Sequence, residues 1–160
     1  MTRADSALSF REPQLVRFCA HWRSVAGADR LPARGRFTAR LLKPYLRNLA
    51  VLEITPQAAR RFIHRNVGTA ITERFGELTG RAFEDFLSPE IASRTTEFLA
   101  ASVEARAPIR VVTQFWQREH LLAEIFAGPL ADDGIIPDRL LLVSYFSGIT
   151  NDTLRGDLGH

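Results

Sequence analysis

Cysteine and lysine are almost missing from this sequence. Its one cysteine, Cys19, excludes an internal disulfide and a thiolate metal cluster within one chain. Lys43 is the single lysine among 21 basic residues, so arginine carries the positive charge. No apolar run approaches the roughly 20 residues that a membrane-spanning helix needs. Met1 to Phe10 lacks the apolar core of a signal peptide. A cytoplasmic location with no membrane partner is therefore expected. The four histidines, His21, His64, His120 and His160, have no metal-ligand spacing, so no metal site is expected. Gly-x-Ser-x-Gly, His-Glu-x-x-His and a phosphate-binding glycine loop are all absent. With no catalytic constellation left, the chain reads as a non-enzyme.

What is there is ordinary for a globular protein: 160 residues, 46% apolar and 24% charged, enough for one domain with a sizeable core. The net charge is +3, with acidic residues interspersed among the arginines. Arg30, Arg34, Arg36 and Arg40 cluster in one connection. Such a run can contact an anion or a nucleic acid, but it reads first as a solvated or acid-paired loop. No nucleic-acid partner is expected. Asp132-Asp133 likewise reads as turn composition rather than a cation site.

Periodicity supplies the elements. Residues 1–12 are polar and expected to be loose. Pro13 opens an amphipathic helix to Ala26, with Leu15, Phe18, Cys19, Trp22 and Val25 on its stripe. A connection with breakers at Pro32 and Gly35 follows, then a short helical turn over 41–46. Leu49–Thr55 and Phe62–Val67 read as a hairpin of strands, with Glu53 and Arg65 as a cross-strand pair. Strict alternation places Phe62, His64 and Asn66 on one face. Gly68 breaks the strand, Thr69 is the expected cap of a short helix, and Gly76 stops it. A second short helix spans 81–87. Ser88 and Pro89 open a longer helix that ends before Pro108. Strands over 109–116, 121–130 and 139–149 follow, joined by turns at 117–120 and 131–138. Residues 150–160 form a polar tail, so a single domain occupies 13–149. Strands separated by a run of helices mean α+β with an antiparallel sheet.

The stretch His64-Arg65-Asn66-Val67-Gly68-Thr69, then Phe75-Gly76 and Thr79-Gly80, resembles the Tyr-Arg-Leu-Val-Gly-Thr…Phe-Gly…Thr-Gly signature of a bacterial PAS family. Its members are short, mostly stand-alone PAS proteins, once catalogued as a domain of unknown function. His21-Trp22-Arg23, Leu31-Pro32-Ala33-Arg34 and Gly128-Pro129-Leu130-Ala131-Asp132-Asp133-Gly134 extend the likeness over most of the chain. His64 and Asn66 stand where that family usually carries Tyr and Leu. The resemblance implies a five-stranded antiparallel sheet with helices across one face. It also implies a sensory or regulatory role without an attached output, in which a small molecule or an unknown signalling protein biases association. The alternative is a ligand-free interaction module with a filled core.

The cofactors carried by PAS relatives can be checked against this chain. The flavin type needs a cysteine on a helix after the second strand, and Cys19 is far upstream. A c-type haem needs Cys-x-x-Cys-His, and the b-type places a histidine on the long helix, where residues 89–106 have none. No cofactor is therefore expected. A cavity between sheet and helices would be walled by Phe62, Phe75, Phe83, Phe86, Phe98 and Phe115, with His64 and Asn66 as polar groups. The same rings would equally make a filled core. The helix stripe of Leu15, Phe18, Trp22 and Val25 must be buried, and a two-fold homodimer centred on Phe18 and Trp22 is expected.

Overall fold

Two apolar faces of one sheet organise the molecule. The structure, a computed structural model, describes residues 2–27, 30–56, 61–115 and 121–148. Strands β1 (Thr2–Asp5), β2 (Leu49–Ile54), β3 (Phe62–Val67), β4 (Ile109–Phe115), β5 (Leu121–Leu130) and β6 (Arg139–Gly148) form the sheet. Their order is β1-β4-β5-β6-β2-β3, and every neighbouring pair is antiparallel. The helices are α1 (Pro13–Val25), α2 (Ala39–Leu42), α3 (Thr69–Phe75) and α4 (Pro89–Ala105). The α+β class is as expected, and α3 and α4 cross one face. The turn at 117–120 and the tail at 150–160 lie outside the described residues.

Strand alternation feeds both faces. Ala50 and Leu52 join Phe62, Ile71, Leu99 and Leu142 under α3 and α4. Leu49 and Val51, the intervening residues, join Phe126, Leu141 and Val143 under α1. A strand buried on both sides thus reads as the continuous run Leu-Ala-Val-Leu.

Among the described residues the sheet has six strands rather than five. Thr2–Asp5, expected to be loose, pairs with β4 from Thr2 opposite Thr113 to Asp5 opposite Arg110. Charge explains why this polar segment is held. Arg110, 5% exposed, reaches Glu124 at 2.6 Å and Asp5 at 3.6 Å. The Glu124 carboxylate also accepts the backbone N–H groups of Arg11 and Glu12, at 3.1 Å and 2.8 Å. One buried carboxylate therefore ties the entry of α1 to the middle of the sheet.

Helix α1 corrects a second expectation. Leu15 and Phe18 are fully buried, and Trp22 nearly so, against the chain's own sheet. The Phe18 and Trp22 rings lie 5.0 Å and 5.2 Å from the Phe126 ring. A β-carbon on Gly128 would sit 2.7 Å from two Trp22 ring atoms and 2.8 Å from Phe126, so only glycine lets the indole lie flat on β5. Val25 is half-buried at the edge of the same core. The stripe drawn as a two-fold homodimer interface is consumed within one chain, packed on its own sheet together with Phe37 and Tyr45.

Smaller differences have local causes. Thr69 is the first residue of α3, and Gly68 is its cap. A side chain at 68 would collide with the carbonyl oxygens of Leu46 and Arg47. Residues 81–87 form only a single 3-10 turn, Phe83–Asp85, in which the Asp85 carboxylate accepts the N–H of Ala82 at 2.8 Å. The short helix expected over 41–46 starts earlier, at Ala39 behind the Thr38 cap. It gives way to a 3-10 helix, Lys43–Asn48, that contains Pro44.

Two stability predictions follow from these contacts. Gly128→Ala should push Trp22 off β5 and lower the unfolding free energy by about 1–3 kcal/mol, an overpacking cost. Urea unfolding followed by tryptophan fluorescence measures it, and an unshifted midpoint would contradict the close approach. Glu124→Ala removes the nearer of the two carboxylates beside Arg110 and leaves the Arg11 and Glu12 N–H groups without their acceptor, and should cost about 3–5 kcal/mol. A variant as stable as the wild type would mean that the buried pair contributes nothing.

Candidate functional site

Strand β3 carries the residue that looks into the interior. Phe62 and His64 face α3 and α4, at 1% and 3% exposed. The alternation then breaks. Leu52 pairs with His64 but Val51 pairs with Asn66, so Arg65 is an extra residue, a bulge. Asn66 is turned to the opposite face, where it is exposed beside Val67 and Leu46. This corrects the placement of Asn66 with His64. Arg65, freed from the ladder, reaches back to Glu53, Nε to Oε2 at 2.7 Å. The Glu53 and Arg65 pairing is thus present, through a bulged residue.

The 80–81 turn closes over His64. Its backbone N–H donates to the carbonyl of Arg81 at 3.0 Å, and its carbonyl accepts from the N–H of Gly80 at 2.7 Å. The ring Nδ1 lies 2.7 Å from the same Arg81 carbonyl. A carbonyl only accepts, so Nδ1 carries the proton and Nε2 keeps its lone pair. The ring is wedged edge-on against Phe83 at 4.9 Å and Phe86 at 5.4 Å. Burial pushes the imidazole pKa below its ordinary value of 6.5, and the Arg81 charge adds to the shift. The Arg81 carbonyl bond works against it.

Beyond His64 lies a small cavity of about 50 Å³ between the sheet and α3 and α4. Phe75 is its hinge ring, 5.3 Å from Phe115 and 5.9 Å from both Phe86 and Phe146. Of the eight residues expected here, His64, Phe75, Phe83, Phe86 and Phe115 line the cavity. Phe62 is buried beside it, packed with the residues of β2 and α4. Phe98 lies on the outer side of α4, where the Arg94 guanidinium covers it at 5.5 Å. Asn66 is across the sheet.

The sequence reading missed three polar groups in the lining: Thr95 of α4, Thr113 of β4 and Ser144 of β6. The hydroxyl of Thr113, 1% exposed, has no hydrogen-bond partner among the described residues. Alternation from Phe115 would have found it, since both residues face the same way. Among the described residues no group of three or more metal-ligating side chains exists, and no helix is long and apolar enough to cross a membrane.

The pH dependence of stability follows from His64. The unfolded chain takes up the proton as pH falls through about 6.5, while the folded chain resists it. Stability is therefore full above that value. It falls with pH until the lowered folded value is passed, by up to about 1.4 kcal/mol per pH unit. His64→Phe should remove this component. Urea unfolding of both proteins between neutral and mildly acid pH measures it, and parallel curves would overturn it.

Comparison with known proteins agrees with this architecture. A family model described as PAS domain matches residues 10–142. No curated protein matches. Among solved structures, the light state of the blue-light photoreceptor Aureochrome1 LOV is similar with a TM-score of 0.50 and 11% identity. That match covers 75% of this chain and 94% of the other. A light-oxygen-voltage domain studied with a flavin analogue is similar with a TM-score of 0.51 and 13% identity, over 75% of this chain and 90% of the other. At such identities the likeness is one of fold. The family match spans most of the chain, and the chain belongs to the PAS domain family.

Proposed function

We propose that this chain is a sensory or regulatory PAS domain, not an enzyme, whose interior takes a small molecule and whose output is changed association with a signalling protein. The observation that carries the reading is the Thr113 hydroxyl, buried without a partner in a cavity that His64, Thr95 and Ser144 also line. A buried hydroxyl without a partner is costly, so a ligand atom or an ordered water is favoured there.

The volume limits the ligand. A water occupies about 30 Å³ of liquid, and drug-sized ligands need pockets of about 300–1,000 Å³. About 50 Å³ suits a ligand of a few heavy atoms. The flavin named for one similar structure does not fit. The cavity is too small, and Cys19 is buried on α1, across the sheet from it. The same small volume favours a second reading, a PAS interaction module with a nearly filled core. Self-association through Phe18 and Trp22 belongs to neither, since both side chains are buried in cis.

Native mass spectrometry of freshly purified protein tests the first reading. An excess mass on the wild type that is absent from His64→Phe and from Thr113→Val is the expected result. A wild type without excess mass, whose NMR spectrum is unmoved by either substitution beyond adjacent residues, selects the filled-core reading. The same measurement reports the oligomeric state.

A further inference from the structure

Positive charge is distributed very unevenly along this chain. Residues 30–52 contain Arg30, Arg34, Arg36, Arg40, Lys43 and Arg47 and no acidic residue, while residues 48–160 carry 15 acidic against 11 basic side chains. The fold gathers that basic segment beside α1, on the sheet face opposite the cavity. Arg47 is engaged with Thr69 and Glu73. Arg34, Arg36, Arg40 and Lys43 are exposed, and none has a carboxylate partner among the described residues. They are solvated but not acid-paired, which separates the two halves of the expectation for this loop.

An apolar groove runs along this segment, with Arg34 as the basic residue of its lining. It has a volume of about 240 Å³, and Leu42, Leu46, Val51 and Leu141 line it together with Arg34 and Asn66. Leu46 is 51% exposed at the groove's edge. The 3-10 turn Arg34–Arg36 lies between this groove and a second hollow of about 330 Å³, to which it contributes Arg36. The aspartates of that hollow are occupied. Asp133 accepts the N–H groups of Ile135 and Ile136, both at 2.8 Å, and Asp132 faces Arg139 at 3.9 Å.

We infer that this surface, from Arg34 to Leu46 and across to Asn66, docks an acidic amphipathic segment of a partner protein. The inference rests on reading the chain as a regulatory module and names the chemistry of what it engages. The apolar floor takes hydrophobic anchors, as grooves that receive amphipathic helices do. The Arg34 guanidinium fork in the groove wall pairs with a carboxylate and sets the orientation, and the exposed charges of Arg36, Arg40 and Lys43 along the same segment add a longer-range preference for acidic partners. Charge complementarity is what selects an acidic partner. A nucleic acid fits less well, because Phe37 and Tyr45, the aromatic rings of the segment, are buried and leave no stacking platform. A lipid surface also fits less well, since interfacial binding buries a broad apolar helix face, and this surface is a concavity with one exposed leucine.

The probe is a phage-displayed library of random peptides, panned on the purified full chain. Enriched peptides should be acidic with interspersed Leu, Ile or Phe, and their binding should weaken as salt is raised. Their affinity should fall by at least about tenfold on Arg34→Glu/Arg40→Glu and on Leu46→Glu, all at exposed positions whose thermal unfolding should not change. Absence of enrichment, enrichment without acidic bias, or equal binding to the folded variants overturns the proposal. So does tighter binding of duplex DNA or phosphatidylglycerol vesicles that the same variants abolish. No groove residue lines the cavity, so the surface can fail while the mass excess on the wild type stands, and the reverse.

Discussion

The close approach of Trp22 to the bare backbone of Gly128 sets how α1 lies on the sheet. A helix can lie on a sheet only as closely as the side chains between them allow. Here the indole rests on a position with no β-carbon. Phe18 then meets both Phe126 and Tyr45 at 5.0 Å, and Trp22 meets Phe37 at 5.6 Å. The chain leaving α1 is drawn along the sheet end, where Leu31 donates to the Gly134 carbonyl and Ala131 donates to the Pro32 carbonyl, both at 3.1 Å. The three segments that extend the family likeness beyond 64–80, at 21–23, 31–34 and 128–134, are thus one packed unit. Their distance in sequence conceals that they solve a single packing problem.

Much of this was legible in the residues. Helix stripes at 3.6 spacing and apolar runs bounded by glycine and proline announced α1, α4 and the five longer strands. Strand β1 was not legible, because Thr-Arg-Ala-Asp has no apolar alternation. Its place depends on Arg110, more than a hundred residues away. The bulge at Arg65 was equally hidden. Alternation is a local rule, and a bulge is decided by how the partner strand is buried on its two faces. That is why His64 was placed correctly while Asn66 was not. Helical spacing alone put Phe98 on one inward stripe of α4 together with Ile91, Thr95, Leu99 and Ser102, and Phe98 is the stripe's aromatic member that turns out only half-buried. The inward position on its turn of α4 belongs to Thr95 and Leu99 instead.

The two candidate surfaces sit back to back on strands β2 and β3. Ala50 and His64 line the cavity, and Val51 and Asn66, their neighbours in the ladder, line the groove. Any displacement of β3 is therefore shared by an interior polar site and an exterior basic one. Only the thickness of one sheet separates them.

The margins of the sheet carry a further consequence. An open edge strand is a template for lateral growth, and proteins guard against it. Strand β3 has spent the outward amide and carbonyl of His64 on Arg81 and Gly80. At the far margin, β1 is only four residues long, and its Arg110-bound Asp5 places charge where another strand would approach. Among the described residues neither margin offers a long run of unpaired main chain. A short margin on one side and a partly occupied one on the other disfavour the addition of a further strand.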